Sequence, residues 1–200
     1  MGFEALRGRM DVAMNMLCSC IVFMFLVTSA PISQFRGKGV NGGSNGATGA
    51  SRLACVTVWG VKNDCNTNNY DHRPAGMACG RAKQLFQASE AFYIISVIVS
   101  FLASLLCGLY FIGMKTKIVL FVLAAAEVAF ALIPWACMTA IWYNNYCDGS
   151  GVTIATTDGK ANGVPFGKVL RDSFKTSAGY GLTVAAWCIQ VIGLVLLFAM

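Results

Sequence analysis

Cys55 and Cys65, separated by nine residues, are the pair in this sequence best spaced for covalent chemistry. The stretch between them, Val56-Thr57-Val58-Trp59-Gly60-Val61-Lys62-Asn63-Asp64, is rich in β-branched residues, holds a Trp-Gly step and ends on turn formers. Gly60 allows a bulge or bend. Cysteines so placed can face each other across a hairpin or two neighbouring strands, where Cβ separations of about 4 Å suit a disulfide. A second candidate is Glu127, set among Ala124, Ala125, Ala126 and Ala129 in a long apolar run. An ionisable group at that depth is a functional candidate by default. Gln190 and the serines Ser96, Ser100 and Ser104 are its available polar partners, and a protonated carboxyl hydrogen-bonded inside a helix bundle is its plainer role.

The remaining chemistry-bearing residues argue against catalysis. His72 is the only histidine and stands in a polar loop, and no Ser/His/Asp set is present. Gly37, Gly39 and Gly42 fit G-x-G-x-x-G, but no strand precedes them and no amphipathic helix follows, so they read as loop and not as a nucleotide site. One histidine and the lack of a C-x-x-C pair leave no zinc site. The expectation is a non-enzyme with no catalytic residue, metal or cofactor.

The elements that must position these residues follow from composition. Of 200 residues 56% are hydrophobic and 12% charged, against about 25% charged in a soluble domain. The apolar excess gathers in four runs, about 12–32, 91–113, 118–143 and 180–199. Each meets the requirement of about 20 apolar residues for a bilayer-crossing helix. In lipid a backbone must satisfy its own hydrogen bonds, so the runs are helices. The predicted fold class is an all-α membrane protein, a four-helix transmembrane bundle with a small disulfide-bonded β element, forming a single tetraspan domain over residues 1–200. Loops at about 33–90 and 144–176 connect helices one to two and three to four. The net charge of +6 is scattered, with no basic helix or aromatic-interleaved basic stripe, so nucleic acid is not an expected partner.

Several local features refine this plan. Thr28-Ser29-Ala30 resembles a signal-peptide cleavage site, but Pro31 would follow the cut and the apolar run is too long, so helix one is expected to remain. Residues 36–51 are Gly-, Asn- and Ser-rich and too polar to order themselves. Arg81–Phe92 has helical apolar spacing and extends helix two outward by two or three turns. Ser96, Ser100, Ser104 and Gly108, and again Ser177, Gly181 and Ala185, form small-xxx-small faces for close helix packing. Pro134 is expected to bend helix three. Helix four is expected to run to the last residue, with essentially no cytoplasmic tail.

Arg7 and Arg9 before helix one, and Lys115 and Lys117 between helices two and three, place the termini and the short turn in the cytoplasm by the positive-inside rule; Arg36 and Lys38 count against it. Both long loops then lie outside the plasma membrane. Of nine cysteines, Cys18, Cys20, Cys107, Cys137 and Cys188 fall within helices, while Cys55, Cys65, Cys79 and Cys147 fall in the outer loops. Four cysteines in an oxidising setting allow three pairings. Cys55–Cys65 is preferred, with Cys79–Cys147 second, because Cys79 precedes helix two and Cys147 follows helix three on the same side.

The segment Cys55-Val-Thr57-Val-Trp59-Gly60-Val-Lys62-Asn-Asp64-Cys65 resembles the amastin signature, C-aliphatic-T/S-apolar-W-G-x-K/R-x-acidic-C. The likeness continues through Cys79-Gly-Arg81, Phe86–Phe92 and Gly181–Trp187, nearly the whole chain. It implies a small four-helix surface protein of kinetoplastid parasites, with both termini inside and two exposed loops, similar in plan to claudins. No N-x-S/T sequon is present, so sugar on a glycoprotein of this kind would be Ser/Thr-linked. The functional expectation is a structural, cell-contact or host-interaction role carried by the outer loops; the alternative is small-ion or proton transport through the bundle involving Glu127. Expected partners are membrane lipids and a second copy or another surface protein. Trp59 is expected to serve the core of the loop more than to anchor a partner.

Overall fold

The computed structural model describes residues 3–38, 54–62, 64–70, 73–76, 80–112, 117–146 and 166–199. Cys79, Cys147, His72, Gly39, Gly42 and Lys115 lie outside them. Among the described residues, five helices and four short strands follow in the order α1 (Phe3–Ser29), β1 (Phe35–Gly37), β2 (Cys55–Thr57), β3 (Gly60–Lys62), α2 (Gly80–Phe111), α3 (Lys117–Tyr143), α4 (Phe166–Ser173), β4 (Phe174–Thr176) and α5 (Ala178–Ala199), with a 3-10 turn at Pro74–Gly76 before α2. The chain divides into two compact units. One comprises Met1–Ser29, Ala91–Trp135 and Leu182–Met200, the other Ala30–Glu90 and Ala136–Gly181.

The first unit is the helix bundle. Spans Val12–Ser29, Gly80–Phe111, Ile118–Tyr143 and Ala178–Ala199 are long and apolar enough to cross a membrane. Its distribution of polarity inverts that of a soluble protein. Met10, Met24, Ile98, Leu105, Val122, Val195 and Phe198 are exposed, while Asn15, Ser19, Ser96, Ser100, Glu127 and Gln190 are at most 1% exposed. Only an apolar solvent makes such an exterior stable, so the bundle is that of a four-helix membrane protein. Its packing uses Val12, Cys107 and Leu120 as one buried cluster and ring contacts Phe23–Phe101, Phe92–Phe130 and Trp135–Trp187.

The second unit is built on a four-stranded sheet of order β3-β2-β1-β4. All neighbours are antiparallel, with Phe35 opposite both Val56 and Thr176. Strand β1 belongs to the segment between α1 and α2, and β4 to the segment between α3 and α5. One sheet thus joins the two connections, which requires both to leave the membrane on one side. Phe35 is the sheet's buried anchor, stacked on Trp142 at 4.7 Å and tilted to Tyr180 at 5.9 Å.

The element boundaries depart from the sequence expectation in instructive ways. Helix α1 begins at Phe3, nine residues before its apolar run, and stops at Ser29, just ahead of Pro31, whose ring nitrogen has no proton for a helix bond. Helix α2 carries the outward extension to Gly80, and α3 stays continuous through Pro134. The segment expected to be loop at 144–176 holds α4 and β4. The glycine stripes are corrected too. A Cβ at Gly108 or Gly181 would meet nothing within 4 Å, whereas at Gly193 it would lie 3.0 Å from Cys18 Cβ and at Gly179 2.7 Å from the Ser33 carbonyl oxygen. Close approach is decided by which face a helix turns to its neighbour, and the i, i+4 pattern does not specify that.

Candidate functional site

In the sheet unit the motif residues form a compact hairpin. The register pairs Cys55 with Lys62, Val56 with Val61 and Thr57 with Gly60, leaving a two-residue turn at Val58-Trp59. Gly60 adopts φ 135°, a conformation L side chains rarely take. The Thr57 hydroxyl accepts from the Trp59 backbone N–H at 3.2 Å and donates to the Gly60 carbonyl at 3.1 Å. One side chain therefore closes the turn from both sides. The Trp59 indole N–H donates to the Ala30 carbonyl at 3.0 Å, tying the turn to the residue that follows α1. Trp59 is half-buried, so its ring serves both as a packing element and as a wall facing solvent.

Lys62 is only 7% exposed. Its ammonium donates to the Thr67 carbonyl at 3.0 Å and sits 4.5 Å from the Tyr70 ring centroid, a cation–π contact. Asp64 forms an Asx turn, its carboxylate accepting from the Asn66 N–H at 3.0 Å while its carbonyl accepts from the Thr67 hydroxyl at 2.9 Å. This turn brings Cys65 back to Cys55. The cysteines are thus not cross-strand partners, since Lys62 holds that place. They meet because the Asp64 turn folds the chain over, and their thiols are hydrogen-bonded. Burial, then the hydrogen bond and charge of Cys65, push the Cys55 thiol up to about 12, outweighing the opposite pull of Lys62 and Arg36. A thiol so placed is inert as a nucleophile at neutral pH.

Three further residues, Arg171, Lys38 and Gly167, complete the unit. Arg171 of α4 donates to the last carbonyls of α3, Trp142 at 2.9 Å and Tyr143 at 2.5 Å, and to Asn145 Oδ1 at 2.8 Å. A cation on the free carbonyls of a helix C-terminus is favourable in both charge and hydrogen bonding. Lys38 does the same for α4, at the carbonyls of Arg171 and Asp172. Gly167 admits this packing, because a Cβ there would clash with the Asn144 carbonyl. An open cleft of about 560 Å³ beside the hairpin is lined by Trp59, Tyr70, Arg73, Pro74, Gln87 and Glu90 among others.

In the bundle unit, Glu127 is fully buried and gathers side chains from the other three spanning helices. Its Oε2 accepts from Ser19 of α1 at 3.2 Å and from Gln190 of α5 at 2.6 Å. Ser100 of α2 lies close enough to interact with the carboxyl, although its hydroxyl meets no hydrogen-bond geometry. The structure brings Glu127 to Gln190, one of the polar partners the sequence offered; Ser19 and the neighbouring Asn15, bonded to Cys107 Sγ at 3.6 Å, were not legible in it. Among the described residues no cluster of His, Cys, Asp and Glu could hold a metal.

The hairpin's polar groups thus close on nearby backbone, and the Glu127 carboxyl is hydrogen-bonded to side chains of α1 and α5. Comparison with curated proteins returns no match. The family model described as amastin surface glycoprotein matches residues 20–197, most of the chain, and includes both the hairpin and Glu127. The chain therefore belongs to the amastin surface glycoprotein family and is a multi-pass membrane surface protein.

Proposed function

We propose that the sheet unit stands outside the plasma membrane, with both termini cytoplasmic, and serves a structural or cell-contact role toward a host or neighbouring surface. One observation carries this: every described polar side chain of the motif, Thr57, Trp59, Lys62 and Asp64, is committed to holding the hairpin's shape. A motif that maintains shape and leaves no free nucleophile suits recognition better than catalysis. The outward orientation is supported by Arg7, Arg9 and Lys117. Arg36 and Lys38 are the opposing charges, and Lys38 is bonded to the end of α4. In that oxidising setting Cys55 and Cys65, already in contact, join as a disulfide, and Cys79 with Cys147 is the second pair. The bundle contacts membrane lipids, and the sheet unit meets a second copy or another surface protein.

Labelling of intact cells with an impermeant thiol reagent, before and after reduction, tests this proposal. Cys55 and Cys65 are expected to label only after reduction. Replacing both with serine is expected to abolish surface display or adhesion; unchanged display and contact in that variant overturn the proposal.

A proton or small-ion path through the bundle is the second proposal, favoured by buried polar atoms of the bundle that meet no hydrogen-bond partner among the described residues: Asn15 Oδ1, Ser100 Oγ, Glu127 Oε1 and Gln190 Oε1. Buried polar groups of this kind in a membrane interior mark sites that can take up a proton, water or a cation. Flux into reconstituted vesicles that disappears in Glu127→Gln supports it, and absence of flux in the unmodified protein removes it.

A further inference from the structure

The cleft beside the hairpin differs from the rest of the sheet unit in how its polar side chains are used. The motif residues next to it are satisfied by their own backbone. By contrast, Arg73, Gln87 and Glu90, which line the cleft, make no hydrogen bond or ion pair through their side chains with any described residue. A guanidinium, an amide and a carboxylate thus line one space without a side-chain partner among the described residues, beside two aromatic rings, Trp59 and Tyr70. Arg73 and Gln87 are exposed, and Trp59, Tyr70 and Glu90 half-buried, so the groups are accessible.

The chemistry narrows the ligand. Together these side chains offer donors from Arg73 and Gln87, acceptors from Glu90 and Gln87, and a Tyr70 hydroxyl able to do either. A ligand that uses them all must carry many groups that both donate and accept, as hydroxyls do. The aromatic rings ask for an apolar face on the same molecule. Among the described lining residues one positive and one negative charge balance, Arg73 and Glu90, which disfavours polyanions. A quaternary or primary ammonium against the rings is disfavoured as well, because the Lys62 ammonium already sits over Tyr70 at 4.5 Å, held there by the Thr67 carbonyl. We propose that this cleft binds a neutral carbohydrate, a terminal one- or two-sugar unit of a glycan, with a ring face on Trp59 or Tyr70 and hydroxyls on Arg73, Gln87 and Glu90. The cleft volume of about 560 Å³ is within the usual range for small-molecule sites. This rests on the proposed outward-facing contact role and supplies its ligand class.

The test uses full-length protein in detergent micelles against an array of neutral, sialylated and sulfated glycans. Saturation-transfer NMR with methyl glycosides of glucose, galactose and mannose, and with phosphocholine, accompanies it. Neutral glycans are expected to bind, with anionic ones no better. Arg73→Ala and Glu90→Gln, both outside the packed core, are each expected to weaken binding about tenfold, the worth of one charge-assisted hydrogen bond. An unchanged melting temperature in these variants shows that the hairpin is intact. No neutral glycan bound, equal binding by both variants, or phosphocholine bound in place of sugars overturns the proposal. If sugar binding fails while the Cys55/Cys65 variant still loses adhesion, the contact role stands and only the ligand class is wrong.

Discussion

In the sheet unit Thr57, Lys62 and Asp64 turn their polar atoms onto nearby backbone, whereas in the bundle Ser19, Glu127 and Gln190 turn theirs onto one another. The difference follows from the solvent each unit meets. Backbone groups of a short hairpin in water are left open by its turns, and side chains must close them. Helical backbone in lipid is closed already, so a polar side chain there either folds back on a carbonyl of its own helix, as Ser96 does on Phe92 and Ser104 on Ser100, or reaches another side chain, as Ser19 reaches Glu127. The same residue types therefore shape one segment locally and lock distant helices together in the other.

The largest expected effect is on the sheet side. Reducing the proposed Cys55–Cys65 bond should cost about 3 kcal/mol of loop-closure stabilisation, read as a fall in melting temperature that the Cys55→Ser/Cys65→Ser variant does not show on reduction. If reduction leaves the unmodified protein unchanged, the sheet is held by its hydrogen bonds alone. On the bundle side, Glu127→Leu strands the Gln190 amide and the Ser19 hydroxyl and should cost about 2 kcal/mol. Glu127→Gln keeps an acceptor and should cost under about 1 kcal/mol. Thermal unfolding in detergent separates the two, and equal losses would mean that charge and not bonding holds the knot.

Gly179→Ala should destabilise by about 2 kcal/mol, since its Cβ would approach the Ser33 and Ile32 carbonyl oxygens at 2.7 and 2.9 Å. Gly181→Ala, with open space around it, should stay within about 0.5 kcal/mol. Thr57→Val removes a donor and an acceptor from the hairpin turn at constant shape, for a loss of about 1 kcal/mol measured by hydrogen exchange at the Trp59 amide.

A further effect is one of pH and belongs to the reduced protein. With Cys55 pushed up to about 12 in the fold and an ordinary thiol at about 8.5 when unfolded, its contribution is fully present below about pH 8.5. It is lost as pH rises toward 12, because only the unfolded chain ionises freely there. The oxidised protein has no thiol to titrate. The gap in melting temperature between oxidised and reduced protein should therefore widen above about pH 8.5, and a constant gap would mean the thiol is not buried in the hairpin.

Much of the bundle was legible in the linear order of residues. Four apolar runs of bilayer length dictate four helices in any arrangement, because backbone hydrogen bonding in lipid admits no other open segment. The hairpin too was legible, since Thr57, Gly60 and Asp64 act on residues two or three positions away. What depends on which helix face turns inward was not. Gly193 and Gly179 carry the close approaches that Gly108 and Gly181 were expected to make, and Ser19 reaches Glu127 across 108 positions of sequence. Strands β1 and β4 are three residues each, too short for any periodicity, and exist because Phe35 is buried against Trp142 and Tyr180. The sequence by itself determined local closure and membrane residence, which depend on residue type within a few positions. The tertiary structure alone decided the shared sheet, the Arg171 cap on α3 and the side chains gathered around Glu127, because those contacts exist only once distant segments have been packed side by side.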